Sequence, residues 1–311
     1  MKPNNARSNQ RRAFSFIEVS VITLIIAIAI GAISASYHIV KVARISSAQK
    51  QTANSVVKQM DGVFLWLETT LEESFIENEA QDFQTQENDG ISVWYDLNPS
   101  PQKRRNSTSL SSANNPKYYT NCINSMPCLK FDGVNDYFTF DASELVNTDY
   151  AIFIVEQRRK SGTNPIIGHL NSPTSNASIE AGYGTSNKLF LSQGTNFANA
   201  YQFTNAAITS YESPQARLHS FINSSRTAGT QKVEHHLNAS NTETPKSFTA
   251  ELDDIATYSD ARIGVNNDGT STTYFEGDIG EIIIFNKALS KQERQSVENY
   301  LLKKWHISKL E

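Results

Sequence analysis

The chain has 311 residues, 28 Lys and Arg against 32 Asp and Glu, a formal net charge of −4 and 39% hydrophobic residues. That balance is ordinary for a globular protein and offers no general basic surface to nucleic acid. The average conceals an asymmetry: one long apolar run lies within the first fifty residues, and the remainder is polar, aromatic and rich in Asn, Ser and Thr.

Residues 1–13 hold Lys2, Arg7, Arg11 and Arg12 without an acidic residue, and an apolar stretch from Phe14 to Ile33 follows at once. Roughly 20 apolar residues span a bilayer as a helix, and a cationic flank stays cytoplasmic, so the bulk of the chain is expected outside. Glu18 interrupts the run. A carboxylate inside a membrane span costs on the order of 3 kcal/mol on insertion scales and so needs a partner. Cleavage between Ala13 and Phe14 would expose an α-amino group at Phe14, which the Glu18 of a neighbouring helix in a staggered bundle is placed to neutralise. Two other readings compete. One is a secretory signal cut at Ala32-Ile33-Ser34 or Ser34-Ala35-Ser36, against which Glu18 at the head of the apolar region argues. The other is a plain membrane anchor.

The segment Arg12-Ala13-Phe14-Ser15-Phe16-Ile17-Glu18-Val19 resembles the cleavage signal of type IV prepilins and type II secretion pseudopilins, with the likeness covering about residues 7–45. It implies cleavage after Ala13 by a prepilin peptidase, N-methylation of Phe14, and assembly guided by Glu18 with other pilins or pseudopilins as partners. It also implies a single pass through the inner membrane, a periplasmic head, and an extracellular filament after assembly. That family usually carries Gly where Ala13 stands, and the helix-bending Pro of many major pilins is absent here.

The next apolar positions, Ile45, Ala48, Val56, Met60, Val63, Phe64, Leu67, Leu71 and Phe75, recur mostly three and four apart, and no Pro falls between Pro3 and Pro99. The spacing predicts that the helix runs on as an amphipathic element to about Glu79, a length on the order of 100 Å. The expected domains are a leader (1–13), a transmembrane half-helix (14–39), an amphipathic half (40–79), a linker (80–89) and a head (90–311).

From Gly90 onward, short apolar or alternating runs separated by turn clusters predict an all-β sandwich: 91–95, 137–140, 150–155, 188–191 and 281–285. A capping box, Ser290 with Glu293, predicts a last helix packing Val297, Tyr300, Leu301 and Trp305 against it. Val93-Trp94-Tyr95-Asp96, Leu129 to Tyr137 and Phe275 to Asn286 resemble laminin-G-like, concanavalin A-like domains. The expected fold class is thus α+β, a long N-terminal helix followed by a jelly-roll sandwich. Such domains often bind glycans or proteins and sometimes calcium.

Four groups of residues bear chemistry. Cys122 and Cys128 pair in an oxidising compartment and otherwise remain two small thiols. Glu276, Asp278 and Glu281 fit the E-x-D-x-x-E spacing of one glycosidase family built on such a sandwich, although the site coincides with the ordinary laminin-G ending. Asp132, Asn135 and Asp136, with the run from Asn266 to Gly269, offer oxygens of the kind calcium prefers, in segments that also read as turns. His235 and His236 lack metal-ligand spacing and read as a solvated pair. The expected protein is a minor type IV pilin-like subunit displaying a lectin-like head for adhesion, with no enzymatic activity and no cofactor apart from that calcium. Its alternatives are a minor pseudopilin engaging secreted cargo and a membrane-tethered carbohydrate-active enzyme.

Overall fold

The computed structural model describes residues 15–75, 85–145, 148–169, 179–184, 187–193, 201–203, 215–224, 232–241, 246–247, 261–267 and 271–310. The chain divides into two compact units, residues 1–44 and 45–311. Ala13 and Phe14 lie outside the described residues. Helix α1 (Phe16–Ala53) opens with Glu18, whose Oε2 accepts from the Ser15 N–H at 2.8 Å and so caps the first turn. Its segment Phe16–Ile33 has a mean hydropathy of 2.6 and none of it is buried; among the described residues it is the one helix long and apolar enough to cross a membrane.

The predicted amphipathic extension to Glu79 does not form. α1 stops at Ala53, Ser55 caps a short 3-10 turn (Val56–Gln59), and Gly62, at φ +79°, reverses the chain. Residues Val63–Glu68 then form a strand, wholly buried, that pairs antiparallel with the segment Glu281–Phe285. The spacing misled because Val63-Phe64-Leu65-Trp66-Leu67 is apolar at every position, which a strand covered on both faces requires and which periodicity cannot distinguish from helix. The second unit therefore begins at Ile45, ahead of the boundary expected at Gly90.

Among the described residues, nineteen strands are numbered in chain order. One sheet holds β1 (Val63–Glu68), β4 (Lys117–Ile123), β5 (Met126–Asp132), β7 (Tyr150–Arg158), β12 (Arg217–Ser224), β13 (Lys232–Leu237), β14 (Ser240–Asn241), β15 (Lys246–Ser247) and β19 (Glu276–Phe285). The other holds β2 (Val93–Trp94), β3 (Ser107–Thr108), β6 (Phe138–Phe140), β8 (Asn164–His169), β9 (Ile179–Tyr183), β10 (Leu189–Gln193), β11 (Tyr201–Phe203) and β16 (Ala261–Ile263). A separate ribbon joins β17 (Val265–Asn267) to β18 (Thr272–Tyr274).

The paired strands run antiparallel, and alternate residues of the central strands point to different layers. Ile152 and Ile154 of β7 and Ile282 and Ile284 of β19 meet Phe138, Ile167, Ile263 and Leu189 of the second sheet in the inner core. Phe153, Val155, Ile283 and Phe285 face the opposite way, into a second core under helix α2 (Lys291–Lys304). The Ser290–Glu293 capping box is present, and Val297, Tyr300, Leu301 and Trp305 lie in that outer core. The expected N-terminal helix, β-sandwich and short C-terminal helix are therefore all present.

Candidate functional site

β19 carries a bulge between Ile279 and Glu281. The bulge turns Glu281 outward along with Asp278, and strand alternation puts Glu276 on the same side. Glu281 is 1% exposed and its carboxylate is spent inside the protein. Its Oε1 accepts from Trp66 Nε1 and Tyr300 Oη, and its Oε2 from Trp305 Nε1, each at 2.8 Å. Lys304 Nζ bridges it to Glu68, at 2.8 Å from Glu281 Oε2 and 2.7 Å from Glu68 Oε2. Glu68 in turn accepts from the Thr70 and Leu71 N–H groups and from Ser74 Oγ. Burial works to lower the Lys304 ammonium pKa, and the two carboxylates override it and raise it; Glu68, which burial works to raise, is held low by Lys304. Gly280 is required here, since a Cβ on it would sit 2.5 Å from the Trp305 ring. This network locks α2 to the sheet.

Asp278 is gripped by Arg159, with Nε at 2.9 Å and Nη2 at 2.7 Å from Oδ2. Its carboxylate lies within 4.8 Å of the Cys122 and Cys128 sulfurs, but these are joined in a disulfide and present no thiolate to a metal. The disulfide closes the β4–β5 hairpin, whose turn residues Asn124 and Ser125 take φ of 49° and 66°. Asp132 and Asp136 spend carboxylate oxygens on their own turn: Asp132 Oδ1 accepts from the Val134 and Asn135 N–H groups, and Asp136 Oδ2 from the Asp132 N–H. Burial, with the Asp132 charge beside it, pushes the Asp136 carboxyl up to about 7.

The solvated histidine pair is a misreading. His235 and His236 are neighbours on β13, so they enter different layers, and both are buried. His235 joins an inner polar cluster. His235 Nε2 lies 3.1 Å from His219 Nδ1, and His219 Nε2 lies 3.0 Å from Glu156 Oε1, which also accepts from Tyr183 Oη at 2.7 Å. Arg158 stacks on the Tyr183 ring, 3.9 Å from its centroid. One tautomer satisfies the chain, with His235 Nε2–H donating to His219 Nδ1 and His219 Nε2–H donating to Glu156. Glu156, Arg158, Tyr183 and His219 are fully buried, and the cluster is closed to solvent.

His236, by contrast, lines an open cleft of about 720 Å³, within the size range of small-ligand sites. Ile222 of β12 and Leu289 form its apolar part; Glu234 and His236, two apart on β13, stand on one side. Lys291, Arg294 and Gln295, at helical spacing on α2, stand opposite. Lys309 completes the rim, and its neighbour Leu310 is tied by its N–H to Asn238 O at 3.3 Å. Arg294 donates through Nη1 to Glu298 at 2.6 Å, and His236 Nε2 lies 3.3 Å from Glu234 Oε2. Burial and the Arg294 charge keep the His236 pKa below its usual value. The sequence reading missed this cleft, although the i, i+3, i+4 spacing of Lys291, Arg294 and Gln295 was there to be seen.

These elements define an antiparallel β-sandwich with one apolar helix at its N-terminal side. No protein-family model matches the chain, and no curated protein matches it. Among solved structures it is similar to Trypanosoma rangeli sialidase, with a TM-score of 0.51 and 14% identity over 83% of this chain and 38% of that one. It is similar also to the covalent intermediate of that sialidase with 2,3-difluorosialic acid, at a TM-score of 0.50 and 15% identity over 78% and 33%. Ruminococcus gnavus IT-sialidase CBM40 bound to alpha2,6 sialyllactose scores 0.43 at 11% identity, over 55% of this chain and 96% of that one, too low to establish a shared fold. The chain spans about a third of the length of the sialidases it matches. These likenesses show the fold, and they overturn the expectation that the chain has no enzymatic activity: the structures that share its architecture are themselves enzymes, so the sandwich gives no ground for excluding catalysis.

Proposed function

We propose that this chain is a minor type IV pilin-like subunit, inserted in the inner membrane and then in a filament, whose β-sandwich head recognises carbohydrate outside the cytoplasm. The observation that carries the reading is Glu18. It is an acidic residue at the head of the apolar segment of α1, the fifth residue after the Ala13–Phe14 junction, and its carboxylate is turned toward the N-terminal end of α1. A carboxylate so placed meets the new α-amino group of Phe14 in an adjacent subunit, and the pairing offsets the cost of holding either charge in lipid. The sandwich architecture shared with sialidases supports the carbohydrate half of the reading.

Intact mass and N-terminal sequencing of protein from its native membrane, with and without the prepilin peptidase, test it. The expected mature chain begins at N-methylated Phe14 and appears only with the peptidase. An uncut chain, or one cut near Ser34, would remove the filament reading. The likeness to sialidases favours a second reading, in which the head hydrolyses a sialylated glycan. Release of free sialic acid from sialyllactose by the purified chain is the result expected of it, and no release at millimolar substrate would dismiss it.

A further inference from the structure

We propose that the cleft between β13 and α2 binds an acidic saccharide, holding its carboxylate at Arg294 between Lys291 and Lys309. The proposal rests on the carbohydrate reading above and adds the class of sugar and the site. Three cations, Lys291, Arg294 and Lys309, belong to this cleft and its rim, against Glu234 and the buried Glu298 behind Arg294. One positive charge is left in excess, which matches a ligand with a single carboxylate and disfavours a polyanion.

The cations differ in what they have to offer. Arg294 is 7% exposed, and Glu298 takes its Nη1; among the described residues no group takes its Nε or Nη2. A guanidinium already positioned by one carboxylate, with two donor nitrogens unspent, fits a second carboxylate with little loss of side-chain entropy. Lys291 and Lys309 are exposed and without partners among the described residues, and they add charge at the rim. His236 is 4% exposed, lines the cleft, and uses Nε2 on Glu234. Its Nδ1 has no partner among the described residues, and with Glu234 beside it on β13 and Gln295 across the cleft it offers donors and acceptors suited to sugar hydroxyls. Ile222 and Leu289 supply an apolar patch against which a pyranose C–H face can rest. The cleft of about 720 Å³ admits a mono- or disaccharide.

The test is saturation-transfer NMR on the full chain in detergent, with 3′-sialyllactose, glucuronic acid and lactose as separate probes at millimolar concentration. Binding of either or both acidic probes, absence of lactose binding, and a loss of about tenfold or more in affinity for Lys291→Gln with Lys309→Gln are expected. Both lysines are exposed, so that variant keeps the fold; Arg294→Gln, checked for folding by circular dichroism, should lose binding altogether. Sialyllactose without glucuronic acid would mark a sialoside, and the reverse a uronate. Lactose binding as tightly as sialyllactose, or acidic probes binding the double variant like the parent chain, would overturn the cleft assignment while leaving the carbohydrate reading in place. Failure of all three probes would overturn both.

Discussion

Replacing Lys304 with Met is expected to destabilise the sandwich by about 3–5 kcal/mol, the usual cost of removing one member of a buried ion pair. Lys304 is fully buried and bridges Glu68 and Glu281, two carboxylates that are themselves 0% and 1% exposed. Without the ammonium, both remain inside with neutral donors alone. Glu281 keeps Trp66, Tyr300 and Trp305, and Glu68 keeps Thr70, Leu71 and Ser74, but these offset only part of the desolvation. Thermal unfolding followed by circular dichroism should show a drop in Tm on the order of 10 °C. Adding Glu281→Gln to Lys304→Met should recover part of the loss, because it removes one of the two orphaned charges. A change within about 0.5 kcal/mol, the range of ordinary surface substitutions, would mean that α2 is not locked to the sheet by this network.

Acidification below about pH 6.5 is expected to destabilise the protein through His219 and His235. Burial drives the His235 pKa well below its usual value, with the charges of His219 and His236 adding to it, and lowers His219 as well despite its bond to Glu156. A histidine depressed in the folded state binds its proton more readily when unfolded, so stability rises with pH and is lost as pH falls below the unfolded value near 6.5. Each such histidine contributes a slope of up to about 1.4 kcal/mol per pH unit until its folded pKa is reached. Glu156 has the same sign at lower pH. Burial works to raise its carboxyl, but His219 and Arg217 hold it down, so its contribution is lost as pH falls below about 4.5. Asp96 and Asp136, raised chiefly by burial to about 6 and about 7, act in the opposite direction. The readout is therefore the difference between the parent chain and His235→Gln in urea unfolding at pH 7 and pH 5. The variant should lose distinctly less stability over that interval, and parallel profiles would show that His235 does not titrate with unfolding.

Where local rules suffice, expectation and structure agree. The Ser290–Glu293 box starts α2, short apolar runs give β7, β10 and β19, and the hydropathy of Phe16–Ile33 marks a helix long enough for a membrane. These signals depend on neighbours within a few residues. They fail at residues 54–75, where a run of Val, Phe, Leu and Trp suits a helix or a doubly covered strand equally well. β1 becomes a strand because β19, more than two hundred residues later in the chain, offers it an unpaired edge beneath α2.

Sequence by itself determined the apolar helix with its single carboxylate, the β-rich head and the capped final helix, because charge, hydropathy and capping are local properties. Tertiary structure alone decided the fate of the polar residues. Glu281, one of a spaced carboxylate set, is consumed by a buried ion network, whereas the unremarked Arg294 keeps donors facing a cleft. His235 and His236, adjacent in the chain, are sent into different layers by the pleat of one strand. Whether a charged or polar side chain is structural or free to meet a ligand depends on which distant groups reach it, and packing between sheets and helix fixes those partners.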